Sequence, residues 1–349
     1  MSQFTIYSSS DINGPGPITG TTGSFIKILD ACLVNGYSGK PAAGWTKPLG
    51  SISASCVTAY RQPSGSQFTM FVNDNAMIVA TEAGITGYTL MSALTSSVAN
   101  ASNVGTGWGQ FPMPWQALTV GKTVLRKSLT ADTTQRSWIL AADAYTMYFW
   151  AADGKNTGYY EHIGFGDFYS LYGTSDIGRC LLFGRHIEND TVTFNTYDMT
   201  DAFACCGQYN AAANYLQYYL PGHFIARGTS GSPQSIRFQK KGDATSSTTT
   251  LGAGAESQYN AVIQGNIAAP NPYDNSYYFS PIWVVDPSGI ALRGRYRGIY
   301  QICHPYSNFS PGQIINGSGK YVGKQFMIIY YGYNGGGWAL EVSNTLETN

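Results

Sequence analysis

Apolar residues recur near the start of the chain at Phe25, Ile28, Leu29, Cys32 and Leu33, the i, i+3, i+4, i+7, i+8 spacing that lines one face of a helix. Thr22 or Ser24 can accept a first-turn N–H, and Asn35-Gly36 tolerates the left-handed conformation that closes a helix. The pattern predicts a helix from about Gly23 to about Asn35. Lys40-Pro41-Ala42-Ala43-Gly44-Trp45 is too rich in Pro and Gly for regular structure, and reads as a loop laying Trp45 onto that helix.

Beyond residue 54 the period changes to that of strands. Residues 67–72 and 77–80 flank the turn-forming Asn73-Asp74-Asn75 and predict a hairpin. Residues 137–141, 145–150, 162–167 and 179–184 are short apolar and aromatic runs separated by turn residues, the rhythm of an antiparallel sandwich or barrel. Residues 211–220 read as a second short helix. Two further hairpins are expected, 281–286 with 290–303 across Asp286-Pro287-Ser288-Gly289, and 325–331 with 338–342. The fold expected is α+β, mainly antiparallel β, sandwich or barrel-like, with an N-terminal helix packed on it.

Irregular stretches divide this pattern. Residues 1–21 read as an extended arm, lying on a neighbour or on its own domain, and residues 92–115 as a long loop carrying Trp108, Phe111 and Trp115. These divisions predict an arm (1–21), a helix with a small β region (22–115), a main β-rich domain (116–304) and a C-terminal tail with a hairpin (305–349).

Leu29-Asp30-Ala31-Cys32-Leu33-Val34-Asn35-Gly36-Tyr37, running on through Lys40 to Trp45, resembles segments of a family of tailed-bacteriophage virion structural proteins. Pro281-Ile282-Trp283-Val284-Val285 and Ala291-Leu292-Arg293-Gly294-Arg295 resemble the same family. The resemblance is scattered over most of the first 300 residues and fades in 305–349. It implies a virion component, with no catalytic residue to carry over and no position in the particle.

Charge sharpens the picture. Only 11% of the 349 residues are charged, against about 25% in an ordinary soluble domain, while Gly (41) and Tyr (26) are abundant. Interfaces lose Lys, Asp and Glu and gain Tyr, Trp and Arg, so this composition suits a subunit covered by neighbours. Twenty basic and twenty acidic residues cancel, so nucleic acid is not an expected partner. Neither a signal peptide nor a membrane span is expected. Six cysteines are too few for a disulfide scaffold of this length, which suits folding in the host cytoplasm.

Motifs for chemistry are weak. Arg227-Gly228-Thr229-Ser230-Gly231-Ser232-Pro233 resembles the nucleophile loop of viral chymotrypsin-like proteases, with His162 or His186 as base and Asp190, Asp198 or Asp201 as orienter, yet it reads better as a turn in a Gly/Ser-rich chain. The four histidines are scattered and no metal-ligand spacing is present. Glu161 and Asp167 would be the first carboxylate pair to inspect for glycoside hydrolysis. No catalytic, cofactor or metal residue is expected.

The one concentration of charge is Arg293, Arg295 and Arg297, which a strand places on one face. They form a docking stripe for a partner's carboxylates, an exposed strand face, or intramolecular ion pairs. The surfaces expected to meet neighbours are those of Phe25, Leu29, Trp45, Trp108, Phe111, Trp115 and the three arginines. The function expected is a non-enzymatic virion subunit of the tail, baseplate or head surface, contacting other virion proteins and copies of itself. The alternative is a carbohydrate-binding, host-recognition module of a tail fibre or spike that engages surface glycan through its Tyr, Trp and Asn.

Overall fold

The computed structural model describes residues 4–48, 56–74, 78–84, 123–128, 131–152, 160–176, 178–186, 209–210, 215–216, 222–225, 234–235, 273, 275–286, 291–302, 309–329 and 337–343. In chain order the strands begin with β1 Thr5–Ser8, followed by helix α1 Ser24–Leu29, which runs on as a π-helical segment, Asp30–Asn35. Then come β2 Val57–Arg61, β3 Thr69–Asn73, β4 Ile78–Gly84, β5 Thr123–Arg126, β6 Trp138–Ala142, β7 Thr146–Ala152, β8 Tyr160–Asp167, β9 Tyr169–Ser170 and β10 Cys180–His186. The rest are β11 Tyr209–Asn210, β12 Tyr215–Leu216, β13 Gly222–Ile225, β14 Gln234–Ser235, β15 Phe279–Asp286, β16 Ala291–Ile302, β17 Ile314–Asn316, β18 Gln325–Ile329 and β19 Gly337–Glu341.

Every described ladder is antiparallel, and the fold is α+β and β-rich, as the periodicity predicts. One sheet runs β1-β6-β7-β8-β10-β5-β4-β3-β2, with β13 and β14 attached to β10, and a second runs β15-β16-β19-β18-β17, with β9 on β16. The hairpins expected at 67–80, 281–303 and 325–342 appear as β3 with β4, β15 with β16, and β18 with β19. The second helix expected at 211–220 is corrected where that stretch is described: Tyr215–Leu216 is a strand, paired with Tyr209–Asn210. Tyr and Leu pack as well on a ladder as on a helix, and here the ladder wins.

The expected divisions of the chain are not seams in the sheets. The first-sheet ladder of β4 with β5 joins residues on either side of 115, and that of β16 with β19 joins residues on either side of 304. In the arm, β1 pairs with β6 through Tyr7↔Leu140 and Ser8↔Ile139. Asp11 ties the arm to the loop after the helix: Oδ2 accepts from the Tyr37 hydroxyl (2.5 Å) and Oδ1 from Lys40 Nζ (2.8 Å).

Period-two alternation feeds three stacked cores. On β7, Met147, Phe149 and Ala151 face a cluster with α1, while Tyr148 and Trp150 face the second sheet. β2 and β3, at the far end of the same sheet, add Tyr60, Met70 and Val72 to the helix cluster, so the sheet curls around α1. On β18, Met327 and Ile329 face the first sheet, while Phe326 and Ile328 face a third cluster closed by Phe309 and Tyr321. β16 changes phase at Gly298 (φ 61), within a break of register against β15, and so turns both Tyr296 and Ile299 toward the first sheet.

The helical stripe is buried as its spacing demands: Phe25, Leu29, Cys32 and Leu33 have no exposure and Ile28 has 1%. The helix ends at Asn35 with Gly36 at a positive φ (71), as expected, but its first turn differs from expectation. Neither Thr22 nor Ser24 caps the first turn. Gly23 occupies the N-cap at φ 79, the Ser24 hydroxyl donates to Thr19 O, and the N–H groups of Phe25 and Ile26 reach Asp74 Oδ2 (2.8 and 3.0 Å). At the other end the loop supplies the donors, Ala43 N to Cys32 O (3.0 Å) and Trp45 N to Leu33 O (2.9 Å). Trp45 is thereby laid on the helix, as expected.

Candidate functional site

The arginine strand β16 organises a well-defined polar assembly among the described residues. Alternation carries Arg293, Arg295 and Arg297 to the rings of β9 and its neighbours: Arg293 lies over Phe168 (5.8 Å), Arg295 over Tyr169 (5.4 Å), and Arg297 over both Tyr145 (4.6 Å) and Tyr169 (4.8 Å). β9 can come this close because position 294 is glycine; a Cβ there would overlap Tyr169 O. Gly294→Ala is therefore expected to prise β9 from β16 and to destabilise the protein by about 1–3 kcal/mol, read as a lowered thermal midpoint.

Each buried arginine has a carboxylate on a different element. Arg293 grips Asp176 through two nitrogens, Nε to Oδ2 at 3.0 Å and Nη2 to Oδ1. The Ser170 hydroxyl (2.8 Å) and Gly178 N–H (3.2 Å) fill the rest of Asp176. Arg297 Nη2 donates to Asp143 Oδ2 (2.6 Å), whose Oδ1 accepts the N–H groups of Tyr145 and Thr146 (2.7 and 2.8 Å). The Asp143 carbonyl accepts from Trp45 Nε1 (2.7 Å). One residue between β6 and β7 thus ties together the helix loop, the first sheet and the second. Burial disfavours the Arg297 charge, but Asp143 and Tyr169 outweigh it, so its pKa is raised and the guanidinium stays charged.

A second assembly surrounds Asp167 at the end of β8. It accepts from Ser66 N (2.9 Å), Ser66 Oγ, Gln62 Nε2 (3.1 Å) and Arg179 Nε (3.0 Å). Burial raises its pKa, against the pull of the Ser66 and Gln62 hydrogen bonds and the Arg179 charge. Glu341, in β19, is likewise buried, accepting from Lys324 Nζ (2.8 Å), Tyr300 OH (3.1 Å) and Ser343 Oγ (3.1 Å).

Chemically these assemblies are clamps. The oxygens of Asp143, Asp167, Asp176 and Glu341 accept from donors of the same chain, so each carboxylate fastens one element to another. Among the described residues no group of three His, Cys, Asp or Glu side chains is placed to hold a metal ion, and no helix is long and apolar enough to cross a membrane.

The residues expected at subunit contacts separate accordingly. Phe25, Leu29 and Trp45 are corrected to core positions, with 0%, 0% and 2% exposure, because the curled sheet closes over the helix. Arg293 and Arg297 are buried in intrachain ion pairs, the third of the three roles open to them, and Arg295 is half-buried. Trp108, Phe111 and Trp115 lie outside the described residues, as does the Arg227–Pro233 loop. His162 is buried against Trp338, with ring centroids 5.5 Å apart. Asp143 was not singled out by its sequence, although an Asp between two apolar runs is an Asx-turn signal. That its partner is Arg297, 154 residues away, has no local signal. No protein-family model matches the chain, and no curated protein is significantly similar to it.

Proposed function

We propose that this protein is a non-enzymatic structural subunit of a phage virion, of the tail, baseplate or head surface, which assembles with copies of itself and with other virion proteins. The observation that carries this reading is where the few charges go. Asp74, Lys127, Asp143, Asp167, Asp176, Arg293, Arg297 and Glu341 are all buried, so a good part of a charge content that is only 11% to begin with lies inside the chain and not on its exterior. Meanwhile Ile12, Tyr273 and Val322 stand 82%, 96% and 75% exposed. A surface with little charge and large apolar groups resists aggregation poorly when bare and is stable when covered. The phage-family resemblance of the helix and β16 segments agrees with this role, and the satisfied carboxylates speak for mechanical work.

The test is the mass of the purified chain in solution, by light scattering during size-exclusion chromatography over a range of concentrations. A closed ring or a mass that rises with concentration is expected. A monomer at every concentration would overturn the reading, and a monomer that binds glycan on an array would replace it with host recognition.

A further inference from the structure

The turn after β3 and the end of β5 bring Asp74 and Lys127 together inside the helix core. Lys127 Nζ lies directly against Asp74 Oδ1, and neither side chain has any solvent exposure. The other carboxylate oxygen, Oδ2, sits in a fork of two backbone N–H groups, those of Phe25 (2.8 Å) and Ile26 (3.0 Å). Nζ is steered by a second acceptor, Thr21 O, at 2.5 Å. The backbone of Asp74 is fixed at both ends, N–H to Cys56 O and carbonyl to Gly23 N, each at 2.9 Å. The helix core built from the same strands includes Tyr60, Met70, Val72 and Leu125, all without exposure.

Such extra hydrogen bonds are what any buried ion pair needs, and Asp143 has the same fork; the difference here is that the cation is a primary amine, which can act as a nucleophile once it loses a proton. An amine held on a carboxyl group, two N–H donors on the oxygen that would take negative charge, and no bulk water to reverse the step are the components of amide formation. We propose that Lys127 and Asp74 condense within the folded chain to an isopeptide bond between Nζ and Cγ.

The balance closes within the pair. A proton passes from the ammonium to Oδ1, giving a neutral amine and a neutral carboxylic acid. Nζ attacks Cγ, and the charge that develops on Oδ2 is held by the Phe25 and Ile26 N–H groups. Oδ1 then leaves as water with a second proton from Nζ, and the carbonyl re-forms on Oδ2. Nothing is oxidised and no co-reactant is needed. Burial favours the starting proton transfer, since it raises the pKa of Asp74 and lowers that of Lys127. The product joins residues 53 apart and closes a covalent loop around residues 75–126, which restrains the unfolded chain as a disulfide would, without a redox requirement.

The experiment is the intact mass of the full-length denatured protein, followed by proteolysis and tandem mass spectrometry. The expected result is a mass lower by one water and a branched peptide joined at Lys127 and Asp74. Lys127→Arg, which keeps the positive charge but not the nucleophilic amine, is expected to restore the full mass. A wild-type chain at full mass would overturn the proposal. So would a loss of water that maps elsewhere, for example to a succinimide.

Discussion

Asp143→Ala is expected to be among the most damaging substitutions in the chain, costing about 3–5 kcal/mol, because it leaves the buried guanidinium of Arg297 without its carboxylate. The truncation also frees the N–H groups of Tyr145 and Thr146, which Asp143 Oδ1 caps at the turn from β6 to β7. Urea unfolding would show a fall in the midpoint without a change of slope. Removing the arginine instead, as Arg297→Met, leaves a carboxylate still held by two backbone donors, and its penalty is expected to be smaller. The double substitution should then cost less than the two single ones added together, because a good part of each is the burial of the other's unpaired charge. Additive costs would show that Asp143 works through the turn alone.

Most of the architecture was legible wherever it is local. The apolar runs at 137–141, 145–150, 162–167 and 179–184 correspond to β6, β7, β8 and β10, because alternation and turn residues are properties of neighbouring positions. The helix was legible from its stripe and from its Asn35-Gly36 end, but its first-turn cap was not: Asp74 reaches Phe25 N across 49 positions, and no nearby residue announces it. The arm reads as irregular because Thr5–Ser8 is only four residues long, and only β6 beside it makes it a strand. The arginine face was legible as a face. Whether it points outward or inward depends on Asp143 and Asp176, supplied by distant elements, so period two could not decide it. The same holds for Asp74 with Lys127: a turn residue and a strand-end lysine look ordinary until the sheet curls them together.

That division of labour is sharpest on β7, where adjacent residues serve different cores. Trp150 faces the second sheet and meets Trp338 edge-to-face at 6.0 Å, while Phe149 meets Phe25 at 4.8 Å on the helix side. Trp150→Ala is expected to cost about 3–5 kcal/mol, from lost burial together with the cavity left between the sheets. The damage should be directional. Amide hydrogen exchange should quicken in β18 and β19, whose Met327, Ile329, Trp338 and Leu340 share the cluster with Trp150, before it quickens in α1. Trp150→Phe gives the contrast. Among the described residues the indole N–H finds no acceptor, so the change removes an unsatisfied donor along with part of the ring system, and a clearly smaller penalty is expected. If alanine and phenylalanine cost the same, a phenyl ring would recover none of the burial, and the loss would belong to the fit of the whole indole between the sheets. If α1 and β18 lose protection together, the two cores do not open separately, and the first sheet with its helix unfolds with the second as one cooperative unit.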